Sequence, residues 1–312
     1  MKFSGGLLAA VGSGVIACPA VALDIVIDYS NDTGFLSNNA AAVAALEAAA
    51  SDLEAIISTT LPEVVDFVGE TFDSDSSTSN VGLAEFNFSN NYTNPSTGSS
   101  VTLNNAAIAE DQIRVFVGAR PIAGSAIGQG GPGGWGYGVS AGSSGSGFSF
   151  DEFDLNANTA WSLAYPQAEA NIRRAGPVLG NFTQTINSSS GGPWQIDFDT
   201  GISLGNVWFD TATNWHYDHT TPVEFSSLDF YSTALHELVH VLGLGTSDSW
   251  DDLANGDDWM GPEVIALLGS GNNILEADEN HIAAGTLSTS LIDGGSQEAA
   301  MDPTLTNGQR KF

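Results

Sequence analysis

Residues 232–245 read STALHELVHVLGLG, and within them His236, Glu237 and His240 form an H-E-x-x-H pattern inside an apolar run of helical character. One helical turn separates His236 from His240, so both imidazoles leave the same face and can bind one metal ion. Glu237 then sits beside them, within reach of a water on that metal. The residue types suit a zinc centre: neutral imidazole nitrogen binds zinc at roughly 2.0–2.1 Å, and a catalytic site has three protein ligands with a fourth position for water. A carboxylate takes that water's proton as it attacks a polarised carbonyl. Leu235, Leu238, Val239, Val241 and Leu242 make the segment largely apolar, as suits a helix beneath a cleft. Two imidazoles and a carboxylate in such surroundings require partners, which a metal supplies. Only five histidines occur in the chain, and two of them fall here.

The run HELVHVLG, through Gly243, resembles the first part of the metzincin signature H-E-x-x-H-x-x-G-x-x-H, in which glycine ends the helix and a third histidine follows. Thr246 stands at the third-ligand position. One histidine follows the motif, His281 in EADENHIAAG. Leishmanolysin-like metzincins carry an insertion between the glycine and the third histidine, and Trp250–Asp278 would be that insertion. AAMDPTL, around Met301, resembles the Met-turn in the M-x-P form of matrixins. The resemblance implies His236, His240 and His281 as ligands of Zn2+, Glu237 as the general base and Met301 as a structural Met-turn residue. Asp248, near the Thr246 position, and Glu263, which suits a thermolysin-like scheme, compete with His281 for the third place.

On the same resemblance the chain is expected to be α+β and zincin-like: a twisted mixed sheet, a backing helix, the H-E-x-x-H helix and a smaller C-terminal subdomain with the Met-turn. The implied activity is that of a secreted zinc-dependent endopeptidase acting on protein or peptide substrates. The alternatives are a non-catalytic secreted binding or surface protein that retains the fold, and a zinc hydrolase acting on something other than peptides. Glu237, which a binding module would not need, favours an enzyme.

Residues 1–22 read as a signal peptide: Lys2, a short apolar region, then Ala20-Val21-Ala22 as a small-residue cleavage pattern. The segment is too short and glycine-rich for a membrane span. Val15–Cys18 resembles a lipobox, but Pro19 argues against lipidation. Cys18 is the only cysteine, so the exported chain is expected to hold no disulfide, and any metal must be bound by His and carboxylates. With 37 Asp+Glu against 7 Lys+Arg and a formal net charge of -30, the surface repels phosphate backbones, which argues against nucleic-acid binding. The acidity is compatible with bound Ca2+, for which Asp73 with Asp75 and the stretch Asp251–Asp258 are candidates.

An N-terminal subdomain is expected over 23–245 and a C-terminal one over 246–312, the latter ending without a closing helix or strand. Leu23–Tyr29, Gly82–Phe88, Gln112–Ala119 and Ser203–Asp210 read as strands, and the metzincin resemblance implies that the last lines the cleft and pairs with extended substrate. Asn38–Thr59 reads as a helix whose apolar stripe is Ala41, Val43, Leu46, Leu53, Ile56 and Ile57. Phe153–Ala175 reads as partly helical, with Arg173 and Arg174 pairing with carboxylates. The Gly/Ser-rich insert at 123–148 is expected to form neither a packed helix nor a long strand, its Trp135 and Tyr137 being candidates for a cleft wall. Ser226 or Ser227 is expected to cap the motif helix, and His216 and His219 to have surface roles.

Overall fold

The computed structural model describes residues 23–65, 67–72, 81–144, 172–186, 194–290 and 294–312. The signal-peptide stretch, Asp73 with Asp75, most of Phe153–Ala175 and the end of the Gly/Ser-rich insert lie outside them. In chain order the strands of the larger sheets are β1 (Asp24–Asp28), β2 (Phe67–Phe72), β3 (Val81–Thr93), β4 (Ser100–Asn104), β5 (Gln112–Arg120), β6 (Gly128–Pro132), β7 (Gly134–Ser144), β8 (Gly180–Ile186), β9 (Trp194–Thr200) and β10 (Leu204–Asp210). The helices are α1 (Ala40–Ile56), α2 (Phe230–Val241), the single-turn α3 (Asp248–Asp251) and α4 (Pro262–Leu268). The architecture is mixed α/β with several small sheets. Among the described residues no helix is long and apolar enough to cross a membrane.

The central sheet has the order β1-β5-β10-β6, parallel across the first three strands and antiparallel between β10 and β6. Strand alternation decides what each face covers. Ile113, Val115, Val117 and Ala119 of β5, with Val207 and Phe209 of β10, face one core that α1 and α2 close. Phe116 and Leu204 face the other way, where Tyr92 stacks on Phe116 with ring centroids 3.9 Å apart. Arg174, fully buried, donates to the carbonyls of Pro62, Gln112, Ile202 and Ala109 and so ties the loops at one end of this sheet together. Arg173 has the expected carboxylate partner, its guanidinium lying 3.9 Å from Asp199, while Arg174 makes its hydrogen bonds to carbonyls and has Asp111 as the nearby carboxylate.

Two local expectations are corrected. The buried stripe of α1 is Ala42, Ala45, Leu46, Ala49, Ala50 and Leu53, while Ile56 is 58% exposed. Small alanines face inward because α1 packs closely on α2, and side-chain size alone misplaces the stripe. The Gly/Ser-rich insert, in turn, forms two strands: β6 joins the central sheet, and β7 pairs antiparallel with the long β3 from Gly134 to Ser144. Glycine weakens strands by its entropy, yet here its lack of a side chain is what the packing requires. A Cβ on Gly130 would overlap the Glu237 carbonyl, and one on Gly128 would lie 2.8 Å from Glu237 Oε1. β6 can lie on α2 only as bare backbone.

Gly130→Ala is therefore expected to destabilise the metal-free protein by about 1–3 kcal/mol, the usual cost of overpacking. Gly131→Ala, whose added Cβ meets nothing within 4 Å, should stay within about 0.5 kcal/mol of the parent. Chemical denaturation of the two variants makes the comparison.

Candidate metal centre

α2 begins at Asp229, whose carboxylate accepts from Ser232 N at 3.0 Å, so the cap is Asp229 and not Ser226 or Ser227. The helix carries His236, Glu237 and His240 into one cleft. At its end Gly243 and Gly245 adopt φ of 101° and 69°, the left-handed region that glycine tolerates. Gly245 also passes so close to the Asn280 backbone that a Cβ there would overlap it. This contact brings in His281, 41 residues beyond His240 in sequence.

His240 Nε2 lies 3.2 Å from both His236 Nε2 and His281 Nε2. Each ring is held from behind by its other nitrogen. His236 Nδ1 donates to the Ala300 carbonyl at 2.9 Å, His240 Nδ1 to the Leu244 carbonyl at 2.8 Å, and His281 Nδ1 to Asp278 Oδ2 at 2.9 Å. With those protons fixed on Nδ1, three Nε2 lone pairs face one another, which is unfavourable unless a cation lies between them. Ligands about 2.0–2.1 Å from a tetrahedral zinc stand about 3.3–3.4 Å apart, close to the spacing seen. The backing acceptors are the kind that orient metal-bound histidines. The three imidazoles fit zinc.

Burial and the neighbouring His240 push the His236 imidazole down to about 4, and burial lowers His240 as well. Both are thus neutral, as ligation requires. Burial pushes the Glu237 carboxyl up to about 8, against a hydrogen bond from the Gly130 backbone. A cation held by the imidazoles would favour the carboxylate and work against that shift.

The cleft has a volume of about 710 Å³ and is lined by Gly128–Gly130 of β6, by Thr233, His236 and Glu237 of α2, by His281, and by Ala300 with Asp302–Leu305. β10 does not offer it an edge, because β5 and β6 occupy both of its sides; the strand at that edge of the sheet is β6. Trp208 lines the cleft, its ring stacked 4.2 Å from the Arg120 guanidinium carbon. Trp135 does not line it: its indole donates to the Gly201 carbonyl at 2.7 Å. The side chain of Tyr137 lies outside the described residues.

Among the described residues the triad is the group of His, Cys, Asp or Glu able to share a metal, and its candidate ligand atoms all fall within 4.8 Å of one another. Asp248 belongs to α3, which packs on β8, and Glu263 is exposed on α4, so neither joins the two motif histidines. Asp251–Asp258 form no such cluster. His216 bonds to the Asp218 carbonyl and His219 stacks on Tyr231, both away from the triad. Met301 is buried in a tight turn closed by Asp302 N donating to the Ala299 carbonyl at 3.0 Å. Sequence reasoning missed Asp278, although an acid three residues before His281 is a readable signal. The Ala300 and Leu244 carbonyls leave no trace in residue identity. No family model matches the chain, and no characterised protein or solved structure is similar enough to match.

Asp278→Ala is expected to weaken zinc binding about 10–100-fold, the usual effect of losing a group that orients a ligand. Asp248→Ala and Glu263→Ala should leave affinity unchanged in the same chelator competition, and His281→Ala should lower it further than Asp278→Ala. A second expectation follows from Glu237. Its folded pKa lies above the unfolded value, so the destabilisation it causes sets in as pH rises above the unfolded pKa and is complete above about 8. Glu237→Gln should accordingly stabilise the metal-free chain at pH 8.5 by about 1–3 kcal/mol, and by progressively less toward pH 5, in thermal melts.

Proposed function

We propose that the chain is an exported zinc-dependent endopeptidase of the metzincin type. The observation that carries this reading is the convergence of three imidazole Nε2 atoms, each backed by an acceptor at Nδ1, with a buried carboxylate beside them in an open cleft. His236, His240 and His281 would hold Zn2+, which when bound supplies a Lewis acid for the scissile carbonyl and acidifies water. Glu237 takes the proton of the attacking water and returns it to the leaving nitrogen. The Gly130 N–H holds that carboxylate in place from the edge strand.

An extended peptide lies along β6, where main-chain hydrogen bonds give register without demanding a particular side chain. Met301 keeps a structural role, since its turn presents the Ala300 carbonyl to His236. The expected signal peptide favours export, and the charge of -30 disfavours a nucleic-acid partner.

The test is cleavage of an unfolded protein by the zinc-loaded chain beside Glu237→Ala prepared identically. The parent should cut, and the variant should be slower by at least about 10²–10⁴-fold, the usual contribution of a general base. Stoichiometric zinc binding without cleavage by the parent would sink the peptidase reading and favour a binding protein.

A further inference from the structure

The segment Arg310–Phe312 lies against the start of α2. Arg310 grips Asp229 with two prongs, Nη2 to Oδ1 at 2.7 Å and Nε to Oδ2 at 3.0 Å, and donates also to the carbonyls of Asp218, His219 and Thr221. Asp229 is fully buried and is the residue that caps α2. The next residue continues the contact: Lys311 N donates to Ser232 Oγ at 2.7 Å, and the Ser232 hydroxyl lies 2.7 Å from Asp229 Oδ2.

The Lys311 side chain then crosses to a different part of the site. Its ammonium, 4% exposed, donates to the Thr304 carbonyl at 2.5 Å and lies 3.1 Å from Glu298 Oε2 and 3.6 Å from Asp302 Oδ1. Phe312 exchanges two hydrogen bonds with the Gln297 side chain, at 3.1 and 2.6 Å. Residues 297–304 contain the turn whose Ala300 carbonyl orients His236 and whose Met301 carbonyl accepts Ile282 N at 2.9 Å, next to His281. Three consecutive residues therefore bridge the helix that carries two imidazoles and the turn that fixes the third one's neighbour and backs the first.

We propose that Arg310 and Lys311 are positioning residues, a clamp that holds the 297–304 turn against the N-terminus of α2 and so keeps His236, His240 and His281 converged. The inference rests on the metal reading above. A buried two-pronged guanidinium–carboxylate pair fixes distance and orientation together, which a flexible ammonium in its place does not. Lys311 also lines the cleft, so the clamp forms part of the wall that substrate meets.

The test uses the full chain with Lys311→Met, which keeps the aliphatic stem, and Arg310→Gln; Arg310→Lys, which keeps the charge and loses the fork, stands in if Arg310→Gln does not fold. Two readouts are taken. Co2+ is titrated and its visible absorption recorded: the variants should bind about 10-fold or more weakly with a changed band shape, as expected when a ligand's support is loosened. Amide hydrogen exchange is measured without metal, and residues 299–305 should open about 10-fold faster while β1 and β5 keep their protection. Parent-like cobalt spectra and affinity, or exchange that rises equally in β1 and β5, would overturn the clamp and leave an ordinary stability contact. If the parent itself binds no Co2+, the metal reading fails, and unchanged exchange at 299–305 in Lys311→Met would overturn the clamp separately.

Discussion

Three converging imidazoles, with His240 Nε2 lying 3.2 Å from Nε2 of both His236 and His281, are the constraint on which the rest of this structure depends. With each Nδ1 committed to an acceptor elsewhere, the three rings are brought together by the surrounding chain, and a cation between them would satisfy their Nε2 atoms. Three separate devices do the holding: a carbonyl at the end of the same helix, a carbonyl from a turn 64 residues away, and a carboxylate three residues before the ring it serves. Each device is itself anchored. The turn is tied to the His281 loop through Ile282 and Met301, and to α2 through Arg310 and Lys311.

Close approach of backbones sets the second condition. β6 comes near enough to α2 to donate a hydrogen bond to Glu237, and the loop at Asn280 comes near enough to the end of α2 to deliver His281. Both approaches run through glycine because any side chain would fill the gap. A composition that argues for a flexible loop therefore marks a place where two elements touch. The entropy that glycine loses on ordering is offset by ladder bonds to β10 and β3.

Cations are scarce in this chain, 7 Lys+Arg in all, and three of them, the buried Arg174 and Lys311 and the half-buried Arg310, serve the frame. Arg174 ties loops through four carbonyls, Arg310 neutralises the buried cap of α2, and Lys311 sits among two carboxylates and a carbonyl. Leaving any of their partners unpaired would strand a buried polar or charged group, which costs far more than a surface ion pair is worth. The acidic excess belongs to the rest of the molecule.

The sequence by itself determined what local periodicity and residue chemistry can carry. The motif helix, the strands at Asp24, Gln112 and Leu204, and the α1 helix were legible because apolar spacing of 3.6 or 2 is a local property. The grouping of His236, Glu237 and His240 was legible because one helical turn relates the two imidazoles and the carboxylate is the neighbour of the first. Residue identity did not decide between His281, Asp248 and Glu263, since that depends on where the chain travels over dozens of residues. Tertiary structure brings His281, and neither of the other two, up to the motif imidazoles, through the turn at Gly243 and Gly245. It also decided that α1 buries alanines, that Asp229 caps α2, and that a Gly/Ser-rich run supplies the strand beside Glu237. Those outcomes come from packing distances between distant segments, which residue type constrains but does not specify.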